Sequence, residues 1–208
     1  RRNSASHKKT ARLKSMLNAQ TLQSAFDFWK ENGVKALIVK SRHKLQGIDS
    51  EYDYPEWYEL TKPSKEELDA QRAAVFDYMP KMSVVIPAYK TPERFLAAML
   101  DSLREQTYAN WEVCIADGSP RGEGVERVLK RYAQKDERIR YVILGENKGI
   151  SGNTNAAMDM AMGDFVVLAD HDDTLAPNAL YECVKAINSD PEIDVVYTDE
   201  DKLDIDGG

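Results

Sequence analysis

From Met82 onward the chain alternates between two kinds of apolar pattern. Short runs of apolar, often β-branched residues occur at 82–87, 111–116, 139–144, 165–169 and 193–198. Their length and continuous apolarity predict strands covered on both faces. The gaps carry apolar residues at helical spacing. After Thr91-Pro92, read as a cap followed by a favoured first-turn proline, Phe95, Leu96, Met99, Leu100 and Leu103 form one stripe. Val125, Val128, Leu129 and Tyr132 form a second. Ala156, Ala157, Met160 and Ala161 form a third, in a helix that Gly163 is expected to end. Ala179, Leu180, Cys183, Val184 and Ile187 form a fourth, after Pro177. Strict alternation of strand and helix predicts an α/β fold: a mostly parallel, Rossmann-like sheet with helices on both faces. Ligands of such sheets bind outside the carboxyl ends of the strands.

Residues 1–80 read differently, as a mainly helical N-terminal extension that packs on a main domain at 81–208. Leu13, Met16, Leu17, Leu22, Ala25, Phe26 and Trp29 give a broken helical periodicity up to Gly33, and Val34 to Val39 is a short apolar run. Tyr52, Tyr54, Trp57 and Tyr58 cluster around Pro55; packing against a neighbouring domain is preferred to stacking on bases or sugars. Ser64 is a candidate N-cap with Glu67 at capping-box spacing, for a helix running to about Phe76.

Bulk properties narrow the class. Of 208 residues, 42% are hydrophobic, enough for a sizeable core and too many for wholesale disorder. A net charge of -7 argues against nonspecific nucleic-acid binding. Arg1, Arg2, Lys8, Lys9, Arg12 and Lys14 crowd the N-terminus; a solvated end is preferred to a contact for an anionic membrane or a partner. Cys114 and Cys183 form no CxxC pair and read as buried free thiols, the cytosolic default. No apolar run reaches membrane-spanning length and no signal peptide is visible. The absence of an initial Met and the closing Asp206-Gly207-Gly208 suggest a piece of something longer.

The chemistry gathers at the strand ends. The fourth apolar run stops in Asp170-His171-Asp172-Asp173. Carboxylates this close repel one another, and a hard divalent ion, Mg²⁺ or Mn²⁺, would relieve them while holding a diphosphate. The plainer alternative is an acidic loop capping the next helix. The first run ends in Pro87-Ala88-Tyr89, the second in Asp117-Gly118-Ser119 and the fifth in Asp199-Glu200-Asp201-Lys202. Asn147 to Asn155 is a glycine- and amide-rich stretch able to approach a nucleotide or sugar. It matches neither GxxxxGK[ST] nor GxGxxG, which weakens ATPase and dehydrogenase readings.

The order SVVIPAYK, LDSLREQTYANWEVCIADGS, NKGISGNTNAAMDMAMGDFVVLADHDD and APNAL resembles the inverting family 2 glycosyltransferases of GT-A fold, over about residues 80–205. It is most similar to bacterial members that build rhamnose-containing O-antigen and cell-wall polysaccharides, which often carry an N-terminal extension. The resemblance implies a UDP- or dTDP-sugar donor, a glycan or lipid-linked glycan acceptor, and a cytoplasmic place at the inner face of the plasma membrane. Pro87, Ala88 and Tyr89 would line the nucleotide pocket. Asp117 would read the uracil or thymine imide, although the first of the family's usual two adjacent acids is Ala116 here. Asn155 matches a position near the nucleotide. Asp170 would lie near ribose or metal and Asp172 would ligate the metal. Asp173 is a further acid of less defined role. His171, at the variable middle position, is either a donor contact or structural. The family's general base comes from a later motif that Asp199, Glu200 and Asp201 precede, so no catalytic residue is assigned and the chain reads as a donor-binding half, inactive alone. The rival readings are a non-catalytic nucleotide-sugar sensor or scaffold, and a phospho-acceptor receiver domain, whose lysine Lys202 matches poorly.

Overall fold

The computed structural model describes residues 62–122 and 124–202, together with Lys30, Tyr58 and Glu59. The expectations placed on Leu13 to Trp57 fall outside the described residues. The chain divides into two compact units, Arg1–Ser64 and Lys65–Gly208, and the sheet belongs to the second.

That unit begins with α1, Lys65–Ala73, three residues shorter than the helix expected to reach Phe76. The chain then runs to the sheet without regular structure, bending at Asp77, with the Phe76 ring 5.1 Å from that of Tyr181. Asn188 clasps the backbone of Tyr78, accepting from its N–H at 3.0 Å and donating to its carbonyl at 2.8 Å. Tyr108 donates to the Pro80 carbonyl at 2.6 Å.

Next come β1 (Met82–Ala88), α2 (Glu93–Arg104), β2 (Trp111–Asp117), α3 (Gly124–Ala133), β3 (Ile139–Ile143), α4 (Gly149–Met158), β4 (Phe165–Leu168) and α5 (Ala179–Ser189). All pairings are parallel, in the order β3-β2-β1-β4. Alternation along β1 divides its side chains between two cores. Val84 and Ile86 join Val113, Ile115, Leu96, Leu100, Leu129 and Leu180 beneath α2, α3 and α5. Val85 joins Ala116 and Ala157 beneath α4. The second core is built of small residues, so α4 lies close to the sheet.

After β3 the chain crosses to the opposite side of β1 to form β4, which makes β1 the switch point of the sheet. Val85 faces β4, its carbonyl accepting from Ala169 N–H at 3.3 Å. By alternation Pro87 also faces β4, where it has no N–H to offer. Pairing with β4 stops at Val85–Leu168, while pairing with β2 continues to Ala88–Asp117. A crevice therefore opens between the ends of β1 and β4, the place where such sheets bind ligands.

Four expectations are corrected. Residues 193–198 form no strand; Val195 and Tyr197 are 81% and 92% exposed, with no neighbouring ladder to satisfy an extended backbone. β4 is covered on one face only: Phe165 and Val167 pack inward, while Val166 and Leu168 are exposed. Thr91 does not cap α2. Pro92 occupies the cap position, and the Thr91 hydroxyl is buried without a hydrogen-bond partner among the described residues. Helix α4 ends at Met158 rather than Gly163. The glycine at 163 answers a steric need: a Cβ there would stand 2.6 Å from Ser83 Oγ and overlap the Lys81 carbonyl. Of the two free thiols, Cys114 is buried and Cys183 half-buried.

Candidate functional site

Two buried carboxylates lie on β2, one at each end, and their surroundings differ. Glu112, at the amino end, is 2% exposed. Its Oε2 accepts from Lys81 Nζ at 2.9 Å and Arg140 Nη1 at 3.2 Å. Its Oε1 accepts from Ser83 Oγ at 2.8 Å and the Met162 amide at 2.6 Å. Burial alone would raise its pKa, but Lys81, the Met162 amide and Ser83 outweigh it and hold the carboxyl at about 2. Every lone-pair direction is used, so Glu112 is a structural anchor, joining β1, β2 and β3 to the return from α4.

Asp117, at the carboxyl end, is 1% exposed. Among the described residues, its carboxylate takes one hydrogen bond, on Oδ1 from the Ser119 amide at 2.9 Å. No cation pairs with it among those residues. A carboxylate this covered and this poorly partnered is costly in an α/β core. It is the kind of group that a ligand donor completes.

The turn after Asp117 is tightly packed. Gly118 donates to the Ala88 carbonyl at 2.9 Å. A Cβ on Gly118 would stand 2.7 Å from Asn153 Nδ2 and 3.1 Å from Asn147 Cα. Asn153 is 2% exposed; its Nδ2 donates to Asn147 Oδ1 at 3.1 Å and its Oδ1 accepts from the Lys148 amide at 3.1 Å. Asn147 Oδ1 also accepts from the Gly149 amide at 3.0 Å. The start of α4 is thus keyed to the end of β2. The sequence pointed to Asn155, which is exposed. Asn153 and Ala157, one helical turn apart, are the residues that α4 buries.

Beyond β1, Tyr89 is 39% exposed and Lys90 takes a left-handed backbone with φ 51°. That conformation costs a residue with a Cβ roughly 1–2 kcal/mol. The Lys90 amide donates to Ser119 Oγ at 2.8 Å, which holds the strained turn.

On the other side of the crevice, Asp170, Asp172 and Asp173 are exposed and His171 is half-buried. His171 Nδ1 is shielded from solvent, has no hydrogen-bond partner among the described residues, and lies 3.5 Å from Asp172 Oδ1. The Asp173 carboxyl is raised above its ordinary value by partial burial and by Asp170, Asp172 and Glu200, with His171 opposing. Although 193–198 is no strand, Glu200 returns to within electrostatic reach of the cluster. Asp199 and Asp201 are exposed, and Asp201 Oδ1 accepts from the Lys202 amide at 2.8 Å. Among the described residues, no three His, Cys, Asp or Glu side chains form a ready-made metal cage. The donor set is nonetheless all hard oxygen plus one orphaned ring nitrogen, which suits a divalent ion that takes its other ligands from phosphate and water.

Sheet order, switch point and flanking acids define a parallel α/β domain with carboxylates gathered beyond the ends of β2 and β4. Residues 83–203 match the glycosyl transferase family 2 model, and the chain belongs to that family. It is 43% identical over 129 residues to the uncharacterized protein y4gI of Sinorhizobium fredii, covering 62% of this chain and 14% of that protein. It is 33% identical over 155 residues to the O-antigen biosynthesis protein RfbC of Myxococcus xanthus, covering 74% of this chain and 12% of that protein. The chain therefore spans a small part of the length of these relatives. Among solved structures, S. aureus TarS is 26% identical, covering 52% of this chain and 20% of that one, with a TM-score of 0.48. Among the described residues, no helix is long and apolar enough to cross a membrane.

Proposed function

We propose that this chain is the donor-binding part of a glycosyltransferase, taking a UDP- or dTDP-linked sugar together with Mn²⁺ or Mg²⁺. The observation that carries the reading is the contrast on β2. Glu112 has a full set of donors, whereas Asp117 keeps an open oxygen at the ligand-binding edge. Asp117 and Asp170 flank the end of β1, two strand spacings apart, about 10 Å. That span suits a nucleoside diphosphate with its base at Asp117 and its phosphates at the acid cluster. Pro87, Ala88 and Tyr89 form the wall between them.

Asp172 and Asp170 are the residues that would hold the ion, which when bound neutralises charge on the departing diphosphate. His171 and Asp173 border that position. Asn155 has no assigned contact in this arrangement and Asn153 supports the pocket from behind. Direct displacement by an acceptor hydroxyl would invert the anomeric centre, with a general base that this reading does not assign among residues 62–202. The kinship with an O-antigen biosynthesis protein supports a glycan acceptor in surface polysaccharide synthesis, with rhamnose as the sugar to test first.

The test is calorimetry with UDP, dTDP and the corresponding sugars, with Mn²⁺ and with chelator. Binding that Mn²⁺ strengthens is expected. Sugar release without acceptor-dependent transfer by the 208-residue chain would fit a donor-binding part. Failure of both nucleotides to bind at millimolar concentration would refute the reading.

A further inference from the structure

We infer that Ser119 is a positioning residue that sets base selectivity by fixing the Asp117 carboxylate relative to the end of β1. The inference rests on the proposed role of Asp117 as the base contact. Ser119 is 1% exposed and makes two hydrogen bonds with opposite roles. Its amide donates to Asp117 Oδ1 at 2.9 Å, and its hydroxyl accepts from the Lys90 amide at 2.8 Å. The first fixes which carboxylate oxygen is spent and which stays open. The second ties that arrangement to the turn carrying Tyr89, across the Ala88–Asp117 pairing. Lys90 adopts its left-handed φ of 51° at this point, although lysine does so rarely. Gly118 packs against Asn153 and Asn147, which closes the turn from behind.

The consequence is chemical. A carboxylate is an acceptor only. An oxygen held at one angle accepts from the ring N–H of uracil and opposes the bare ring nitrogen of cytosine. A carboxylate free to swing discriminates less. Loss of the Ser119 hydroxyl should therefore cost selectivity, beyond any cost in stability.

The experiment compares UDP and CDP affinities, at constant Mn²⁺, for the 208-residue chain and for S119A, S119T and D117N. Wild type should favour UDP by at least about tenfold, the worth of one hydrogen bond to a charged group. D117N should abolish the preference. S119A should lower the UDP:CDP ratio by about tenfold, and S119T, which keeps the hydroxyl, should restore it. A collapse of the ratio in D117N but not in S119A overturns this inference alone. A ratio unchanged in D117N, or a wild type that binds UDP and CDP alike or binds neither, overturns the base contact and this inference with it. Equal loss of both nucleotides in S119A would reduce Ser119 to a structural residue. If S119A fails to fold, amide exchange in the wild-type chain decides: the Lys90 N–H should be protected, and free exchange overturns the clasp.

Discussion

Replacing Glu112 with Gln removes one negative charge from a nearly full-sized replica of the side chain. One amide oxygen can still accept from Ser83 and the Met162 amide. The amide NH₂ then faces Lys81 Nζ and Arg140 Nη1, donor against donor. The fall from an ordinary 4.5 to about 2 corresponds, at about 1.4 kcal/mol per pH unit, to about 3 kcal/mol of stability. Lys81 and Arg140 keep about a third of their side-chain surface in water, at 33% and 36%. They are not left as bare buried charges, so the loss belongs near the low end of the roughly 3–5 kcal/mol seen when buried pairs are broken. The sign follows from the depressed pKa. The contribution is complete above about pH 4.5 and is lost as pH falls toward 2. Urea denaturation of wild type and E112Q at pH 7, 5 and 3 should therefore show a gap of about 3 kcal/mol that narrows as Glu112 protonates. A gap that stays constant across this range, or one below about 1 kcal/mol at pH 7, would show that the charge is not what stabilises the network.

Gly163→Ala should cost at least about 2–3 kcal/mol in urea denaturation, because the added methyl meets the Lys81 carbonyl and Ser83 rather than a movable side-chain tip. Leu100→Ala, at 0% exposure, should cost about 3–5 kcal/mol, while Leu168→Ala, at 68%, should cost less than about 0.5; similar losses would mean that the outer face of β4 is covered. Asp172→Ala should weaken UDP at least about tenfold in Mn²⁺ and have little effect in chelator, and equal weakening in both would remove Asp172 from the metal site.

Where neighbours along the chain decide the structure, the sequence was readable. The α3 stripe matches its buried residues, and those of α2 and α5 do so except for Phe95, Ala179 and Cys183, which are half-buried; Asp117 and Asp170 follow the carboxyl ends of β2 and β4, whereas the acids after the fifth run end no strand. Interactions between distant residues were less accessible. Glu112 reads as one polar residue in a strand; its partners Lys81, Arg140 and Met162 lie 31, 28 and 50 positions away. Gly163 looks like a helix stop because its clash partners, Lys81 and Ser83, are more remote still, Ser83 lying 80 positions away. The 193–198 run has the composition of a strand, but a strand exists only beside a partner. Asn153 is open to deduction, since helical phase places it with Ala157, one turn on; Asn155, the motif position, lies on the exposed face of the same helix. The Ser119–Lys90 bond needs a left-handed lysine, which no residue pattern announces.

β4 is four residues long, flanks β1 alone among the described strands, and leaves half its side chains in water. Its entry is held by the Glu112–Met162 bond and by Asp164 accepting from the Lys81 amide at 2.7 Å. The acid cluster therefore hangs from the least secured strand of the sheet, while the Asp117 pocket sits on the most secured. Hydrogen exchange should therefore separate the two halves of the site into different cooperative units, with β4 expected to open at lower free energy than β1 and β2. A ligand spanning both would stitch those units together, and its binding would register as slowed exchange in β4 rather than in β2.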